Sequence, residues 1–544
     1  MLKNFSCSNK TTVHQCADSA LPTVLRFFLV YISVALSAST ALLSGCGKDN
    51  KKQNTTLVVA RARDATILDP ARATDVDSAD TLFQIFETLV AYDTDSFEVK
   101  PNLAVSWRQS TDLKTWTFKL RKGVRFHDGT EMEADAVVFS FQRQSNGGVR
   151  QSEFVYWNGY FGDIIKKVKK IDRFTVRFEL TRPFAPFLAS LAMFPVGIVS
   201  PTSCRKLGDR FAQQPVGTGP FKFEGWDQTE GQIRLMRFDD YWGEPAAINK
   251  LVFRQISDSR QRVLALQSGA VQIIRNVDPW AIRMVKLHPD LRVSITRGNN
   301  VGFIALNTRK PPFNNPKIRW AVNRGVRKHV MVKLIYQGLA EPAYGPLPPV
   351  LDWAYNKDIE KYPYNEDRAH SELIAAGYKD DPNKRPKLYV MDTPRPYVTQ
   401  PILAAHMIAR DFEEMGMPVD IVIQPFDKHK EAITRGDHHL ALYGWVGDNG
   451  DPDNFLSTLL GPTSPLNISF WRHSEYAKMV QAARETQEKK SRAEHYKRAQ
   501  NIFALQAPWI PLAHTKMVVA LNRSIKGFDL GPSSILLLKG VRLK

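Results

Sequence analysis

The run Thr115-Trp116-Thr117-Phe118-Lys119-Leu120-Arg121-Lys122-Gly123-Val124-Arg125-Phe126-His127-Asp128-Gly129 carries two signals in fifteen positions. Trp116, Phe118 and Leu120 alternate with polar residues, as a strand with one buried face requires, and His127-Asp128-Gly129 then turns the chain. Upstream, Ala104-Val105-Ser106-Trp107 opens the same block. Downstream, Ala134 to Arg143 reads as a helix, and Phe174, Val176, Phe178 and Leu180 alternate as another strand. Further out, Thr56 to Ala60 is β-rich, and Ala79 to Val90 carries Leu82, Ile85, Phe86 and Leu89 at helical spacing. Near the far end, Ser491-Arg492-Ala493-Glu494 has capping-box spacing. Tyr496, Ala499, Ile502 and Phe503 then form an apolar side, and Pro508 stops the helix. His127 with Asp128 offers half a catalytic dyad, but at a strand-end turn the pair is more often structural.

Length and composition bound the function. The 544 residues exceed one ordinary core, and 43% hydrophobic with 24% charged content is that of a globular protein. The formal charge of +19 is high, yet the 74 lysines and arginines are scattered. Short runs such as Lys166-Lys167-Val168-Lys169-Lys170 read as solvated faces. No zinc-finger spacing or aromatic RNA-binding signature accompanies them, which excludes nucleic acid as a partner.

The N-terminus addresses the chain. Lys3, Lys10 and Arg26 precede an apolar stretch from Phe27 to Leu43, too short and polar for a membrane span. Leu43-Ser44-Gly45-Cys46 resembles the lipobox of bacterial lipoproteins. That resemblance implies a signal peptide over 1–45, cleavage before Cys46, and lipidation of its thiol. Two acyl chains anchor firmly where one is marginal. Residues 46–55 read as a polar tether. The flank before the apolar stretch is long for a leader, which allows a start codon downstream of Met1. Of four cysteines, Cys7 and Cys16 leave with the leader and Cys46 is acylated, so Cys204 stands alone without an internal disulfide.

Several segments, in order, resemble the family 5 solute-binding proteins, the receptors of bacterial peptide and nickel ABC importers. They are the block Ala104 to Arg143, Gln214-Pro215-Val216-Gly217-Thr218-Gly219-Pro220-Phe221, Tyr241-Trp242-Gly243, Val301 to Thr308 with Pro311 to Asn315, and Tyr364 to Ala369. Thr181 to Leu188, Arg395-Pro396-Tyr397 and Gly447 to Phe455 are most similar to the dipeptide-binding branch. The resemblance implies an α/β, two-lobe periplasmic binding protein of the large type II class. Lobe one is expected over 56–298 with an inserted subdomain at about 100–212. Lobe two spans 299–508, and 509–544 returns to lobe one. Independently, Gly298-Asn299-Asn300 is a breaker before a β-rich run, and Ala507-Pro508 stops a helix. Two departures bear on the ligand. No acidic pair lies near Gly269 to Gln272, and no cysteine pair lies between Leu459 and Trp471.

The resemblance also assigns a site. Asp448 matches the aspartate that binds a peptide's amino terminus, and Arg395 the arginine that binds a dipeptide's carboxylate. A free dipeptide buries both charges only if each meets an opposite charge with hydrogen bonds. Arginine suits the second task because its planar fork grips a carboxylate. Gly444, Trp445, Val446 and Gly447 would offer main-chain groups to the peptide as an added strand. Trp445 would wall the pocket, with Tyr397 and Trp471 as weaker candidates. Asp451 and Asp453 keep turn and helix-start roles. The expected ligand is a dipeptide or short peptide, captured in the periplasm by a lipid-anchored monomer and passed to an inner-membrane ABC permease. Haem, glutathione, an antimicrobial peptide or nickel are the alternatives in the same fold.

Other classes find little support. There is no Gly-x-Ser-x-Gly elbow, His-Glu-x-x-His or phosphate loop, so no enzyme and no cofactor is expected. Asp448, Asp451 and Asp453 alternate like Ca²⁺ ligands but lack the remaining EF-hand positions. Asp437-His438-His439 could join a metal site, but adjacent histidines at a loop end are usually solvent-facing.

Overall fold

The computed structural model describes residues 55–93, 96–146, 148–531, 533 and 535–544; side chains of 148–150 are left aside. The leader, Cys46 and the tether up to Asn54 lie outside the described residues. From Asn54 onward the chain forms one compact unit. Among the described residues no helix is long and apolar enough to cross a membrane.

One strand holds the mixed α/β architecture together. Trp509–Asn522, 14 residues long, sits in the middle of a 12-stranded sheet. On one side follow Asn300–Leu306, Leu440–Val446, Lys387–Met391 and Asp420–Gln424. On the other follow Ile273–Arg275, Thr56–Arg61, Lys250–Gln255, Gln232–Arg237 and Phe221–Asp227. The long strand serves the two sides with different residues. Its first part pairs Ala513, Pro511, Ile510 and Trp509 with Gly302 to Ala305, and its last part pairs Val519 to Leu521 with Arg275 to Ile273. Asn300–Leu306 is buried at every position, as a central strand covered on both faces must be.

A second, four-stranded sheet is built by the block that opened the sequence reading. Its order is Ala104–Gln109, Thr115–Leu120, Thr175–Leu180, Ile165–Asp172. Trp116, Phe118, Val176 and Phe178 join Phe141 and Phe187 in a hydrophobic cluster of their own. The alternation read from the sequence is therefore the buried face of a real sheet. The lysine run lies on its edge strand, where charge discourages pairing with another chain.

Helix boundaries depart from expectation in two places. The helix after the first strand covers Val76–Ile85, with Phe86 as its C-cap, so Leu89 is buried beyond its end rather than on its face. The late helix Lys489–Gln506 starts earlier than the Ser491 capping box suggests. Glu488 caps it, accepting from the backbone N–H groups of Lys490 and Ser491. Its end is as read: Ala507 takes φ 45° ahead of Pro508.

Candidate ligand-binding site

A cleft of about 1920 Å³ is lined from both sides of the long strand. Gly444, Trp445, Val446, Gly447, Asp448, Arg395 and Tyr397 all face it, so the seven positions named from the sequence share one cavity.

The strand Leu440–Val446 brings most of them there. One edge pairs with Asn300–Leu306 along its whole length. The other pairs with Lys387–Met391 only at Leu440 and Ala441. From Leu442 onward that second edge has no strand partner among the described residues, and Gly444 to Val446 line the cleft there. Unpaired main-chain groups at the wall of a cavity form a template for one more extended strand. Gly444 cannot carry a side chain, because a Cβ would run into the Tyr397 ring. That close approach fixes the Arg395–Val398 turn, closed by reciprocal backbone hydrogen bonds of 3.0 Å, against the strand. Tyr397 is only 6% exposed. It serves as packing under the cleft as much as wall.

Asp448 follows where the strand ends. The Tyr156 hydroxyl donates to its Oδ1 at 2.8 Å, and the Asn454 amide donates to its Oδ2 at 3.3 Å. Asn454 Oδ1 in turn accepts from the Asp448 N–H at 3.0 Å and from the Trp445 indole N–H at 2.9 Å. One asparagine therefore holds both the carboxylate and the aromatic wall. No cation pairs with Asp448 among the described residues. Burial pushes its carboxyl up to about 6 against the pull of the Tyr156 and Asn454 donors. Arg395 is its counterpart. Its guanidinium lies over the Phe426 ring at 3.3 Å, has no ion-pair partner among the described residues, and leaves Nε without a hydrogen bond. Burial holds that guanidinium below the ordinary arginine range. Two half-buried, opposite charges thus face one cavity, and neither is neutralised by the protein.

The neighbouring aspartates are spent differently. Asp451 is buried and receives Arg492 Nη2 on both oxygens, at 2.9 and 2.7 Å. Its turn role is real, since Oδ1 also accepts the Asp453 N–H at 3.0 Å, but a buried ion pair was not foreseen. Asp453 opens the helix Asp453–Leu460 and meets Arg484 at 3.2 Å. Both of these carboxylates are therefore engaged by arginines, and neither stands free as a Ca²⁺ ligand beside Asp448. Trp471 belongs to the core, only 4% exposed and packed on Tyr476. His438 is buried, its Nε2 on the Ile468 carbonyl at 3.0 Å, so the expected solvent exposure is also corrected. His127 Nε2 lies 2.9 Å from the Gly219 carbonyl and Asp128 Oδ2 accepts from Ser200 and Ser203, both structural ties. Burial pushes the half-buried Cys204 thiol up to about 12, which disfavours its thiolate.

Residues that the sequence did not flag complete the site. Tyr156 and Asn454 carry no motif; Asn454 sat inside the quoted Gly447–Phe455 segment, but its double role is not readable from it. Asn299 donates to the carbonyls of Gly447 at 3.3 Å and Asn449 at 2.9 Å. Thr515, on the long strand, donates its hydroxyl to the Pro396 carbonyl at 2.8 Å and its backbone N–H to Asn300 Oδ1 at 2.8 Å. The crossover points between the two sides are thereby tied to the loops carrying Asp448 and Arg395.

A two-sided α/β body with a charged, peptide-sized groove beside a free strand edge is the build of a solute receptor. Comparison with known proteins agrees. The model for "Bacterial extracellular solute-binding proteins, family 5 Middle" matches residues 98–467. The dipeptide-binding protein of Escherichia coli (strain K12) is 35% identical over 468 residues, covering 82% of this chain and 87% of that protein. Heme-binding protein A of Haemophilus influenzae is 33% identical over 533 residues, covering 92% and 96%. The solved ABC transporter-associated periplasmic binding protein DppA from Helicobacter pylori, in complex with peptide STSA, superposes with a TM-score of 0.80 at 33% identity, covering 91% of this chain and 99% of that one. The chain belongs to the family 5 bacterial extracellular solute-binding proteins, a family of receptors rather than enzymes.

Proposed function

We propose that this protein is the substrate-binding lipoprotein of a peptide ABC transporter, capturing dipeptides or short peptides for the permease. The observation that carries the reading is the uncompensated Asp448 carboxylate beside a free strand edge, with the unpaired Arg395 guanidinium in the same cleft. A zwitterionic peptide supplies what both lack: an ammonium, a carboxylate and backbone groups between them. Cys46 holds the mature chain to the membrane in the periplasm, and a monomer meets the permease in the inner membrane. Lobes of 56–298 with 509–544, and of 299–508, close on the ligand about the two chain crossings between them. Ligand shifts that equilibrium only by its differential affinity for the closed form.

Peptide length is set by the two charges. An extended peptide grows by about 3.3–3.6 Å per residue, so each added residue carries its carboxylate further from Asp448. Arg395→Ala is expected to weaken dipeptide binding about 30- to 100-fold and tetrapeptide binding less, flattening the length series in calorimetry. Equal losses at all lengths would refute the length gate.

The pH response follows from Asp448. An acid whose carboxyl is raised to about 6 in the folded protein is mostly protonated at pH 5, and a neutral carboxyl cannot hold an ammonium. Peptide affinity is expected to fall about tenfold per pH unit below 6, with proton release on binding near pH 6. Before binding, the same group favours the folded state at low pH, since the native protein then binds the extra proton. A flat affinity between pH 7 and 5 would overturn the assignment.

Native mass spectrometry of the purified protein with di-, tri- and oligopeptides, haem, glutathione and Ni²⁺ tests the reading as a whole. The large cleft and the likeness to a heme-binding protein favour haem as the second reading. Haem bound with no peptide retained would replace the peptide reading.

A further inference from the structure

We infer that Arg63 is a second cation for the far end of the ligand, and that the protein favours peptides whose last residue carries a carboxylate of its own; the inference rests on the peptide reading above. Arg63 follows the strand Thr56–Arg61 on one side of the long strand, and Arg395 follows Lys387–Met391 on the other. Both line the same cleft, so two guanidiniums reach it from the two halves of the sheet. They also sense one another. Behind burial, and against the pull of Tyr397, the Arg63 charge helps to hold Arg395 below the ordinary arginine range.

The acids around Arg63 are committed elsewhere. Its ion pair among the described residues is with Asp77, at 3.5 Å, and its side chain is 51% exposed. Asp77 is shared: burial raises its carboxyl, and of the three arginines that pull it back, Arg61 and Arg275 act more strongly than Arg63. Those two are buried and have pairs of their own, Arg61 with Asp64 at 2.8 Å and Arg275 with Asp80. Asp75 caps the helix Val76–Ile85, accepting from the Ser78 N–H at 2.8 Å. On the Arg395 side, Asp392 and Asp427 face the cleft, but both are exposed and neither pairs with Arg395 among the described residues. Lys430 and Lys516 add positive charge to the same cleft. The ligand's main-chain carboxylate answers one guanidinium. The other stays across from it, and like charges brought together in a drying cleft are unfavourable unless an anion joins them. A C-terminal glutamate brings that anion within a few bonds of the first, in a form that a planar guanidinium grips well. An amide of the same shape brings no charge.

Calorimetry at pH 7.5 with two isosteric pairs, Ala-Glu with Ala-Gln and Glu-Ala with Gln-Ala, tests this. Ala-Glu is expected to bind about tenfold tighter than Ala-Gln. Glu-Ala should bind no tighter than Gln-Ala, because only the last residue meets Arg63. Arg63→Gln is expected to cut the Ala-Glu advantage to less than about threefold, while Ala-Gln keeps its affinity within about the same factor. Equal affinity of the unaltered protein for Ala-Glu and Ala-Gln would overturn the inference while leaving the peptide reading intact. A matching gain for Glu-Ala would mark a general pull on anions and overturn it as well. An advantage that survived in Arg63→Gln would overturn the role of Arg63. Failure of all four dipeptides to bind would overturn both the inference and the peptide reading.

Discussion

Asp448→Ala is expected to abolish dipeptide binding while making the empty protein more stable at neutral pH. The two effects have one cause. In the empty site the carboxylate is held by two neutral donors, Tyr156 and Asn454, and burial raises its carboxyl to about 6. The charged form is thus disfavoured at pH 7, and removing it relieves that penalty. On the proposed reading, the ligand's ammonium is the missing counterion in the complex. Truncating one partner of a desolvated charge pair costs about 2–5 kcal/mol, or roughly 30- to several-thousand-fold in Kd. A micromolar complex holds only about 8 kcal/mol in total, so the loss removes useful affinity. Asp448→Asn separates charge from shape, since an amide can still accept from Tyr156 but cannot attract the ammonium, and it should lose nearly as much. Calorimetry reads the first effect and thermal unfolding the second. Unchanged affinity in either variant would refute the role of Asp448, whatever happened to stability.

The split between what was readable and what was not follows distance along the chain. Local periodicity placed the strands Thr115–Leu120 and Thr175–Leu180, because one buried face writes itself into every second residue. It also placed the body of the late helix, but not its first turn: Glu488 outcompetes Ser491 because its carboxylate accepts two backbone N–H groups at once. The site was legible only through resemblance. Tyr156 meets Asp448 across 292 residues, and nothing near either position records the contact. A single sequence likewise shows that Asp448, Asp451 and Asp453 alternate, but not which of them finds an arginine. The protein distinguishes them by partner: Asp451 has Arg492, Asp453 has Arg484, and Asp448 has no cationic partner among the described residues.

That distribution ties the stability of the site loop to Arg492. Both members of the pair are buried, and Arg492 also donates to the Ala483 carbonyl at 3.0 Å and to the Tyr496 hydroxyl at 3.1 Å. Asp451 in turn receives the backbone N–H of Asp453, so its carboxylate shapes the turn between Asp448 and the helix bearing Asn454. Arg492→Met keeps the length and apolar stem of the side chain but leaves the Asp451 charge buried and unpaired. Breaking a buried pair from one side costs about 3–5 kcal/mol, whereas replacing both partners is often close to neutral. Urea unfolding of Arg492→Met should therefore show a loss of that size, and Arg492→Met with Asp451→Asn should recover most of it. Peptide binding should follow the same order, because the charge on Asp448 is untouched and only the frame that aims it has loosened. If the double variant were no more stable than the single one, the loop would owe its shape to the Arg492 contacts with Ala483 and Tyr496 rather than to the charge pair. The division of labour among the three aspartates would then rest on geometry alone.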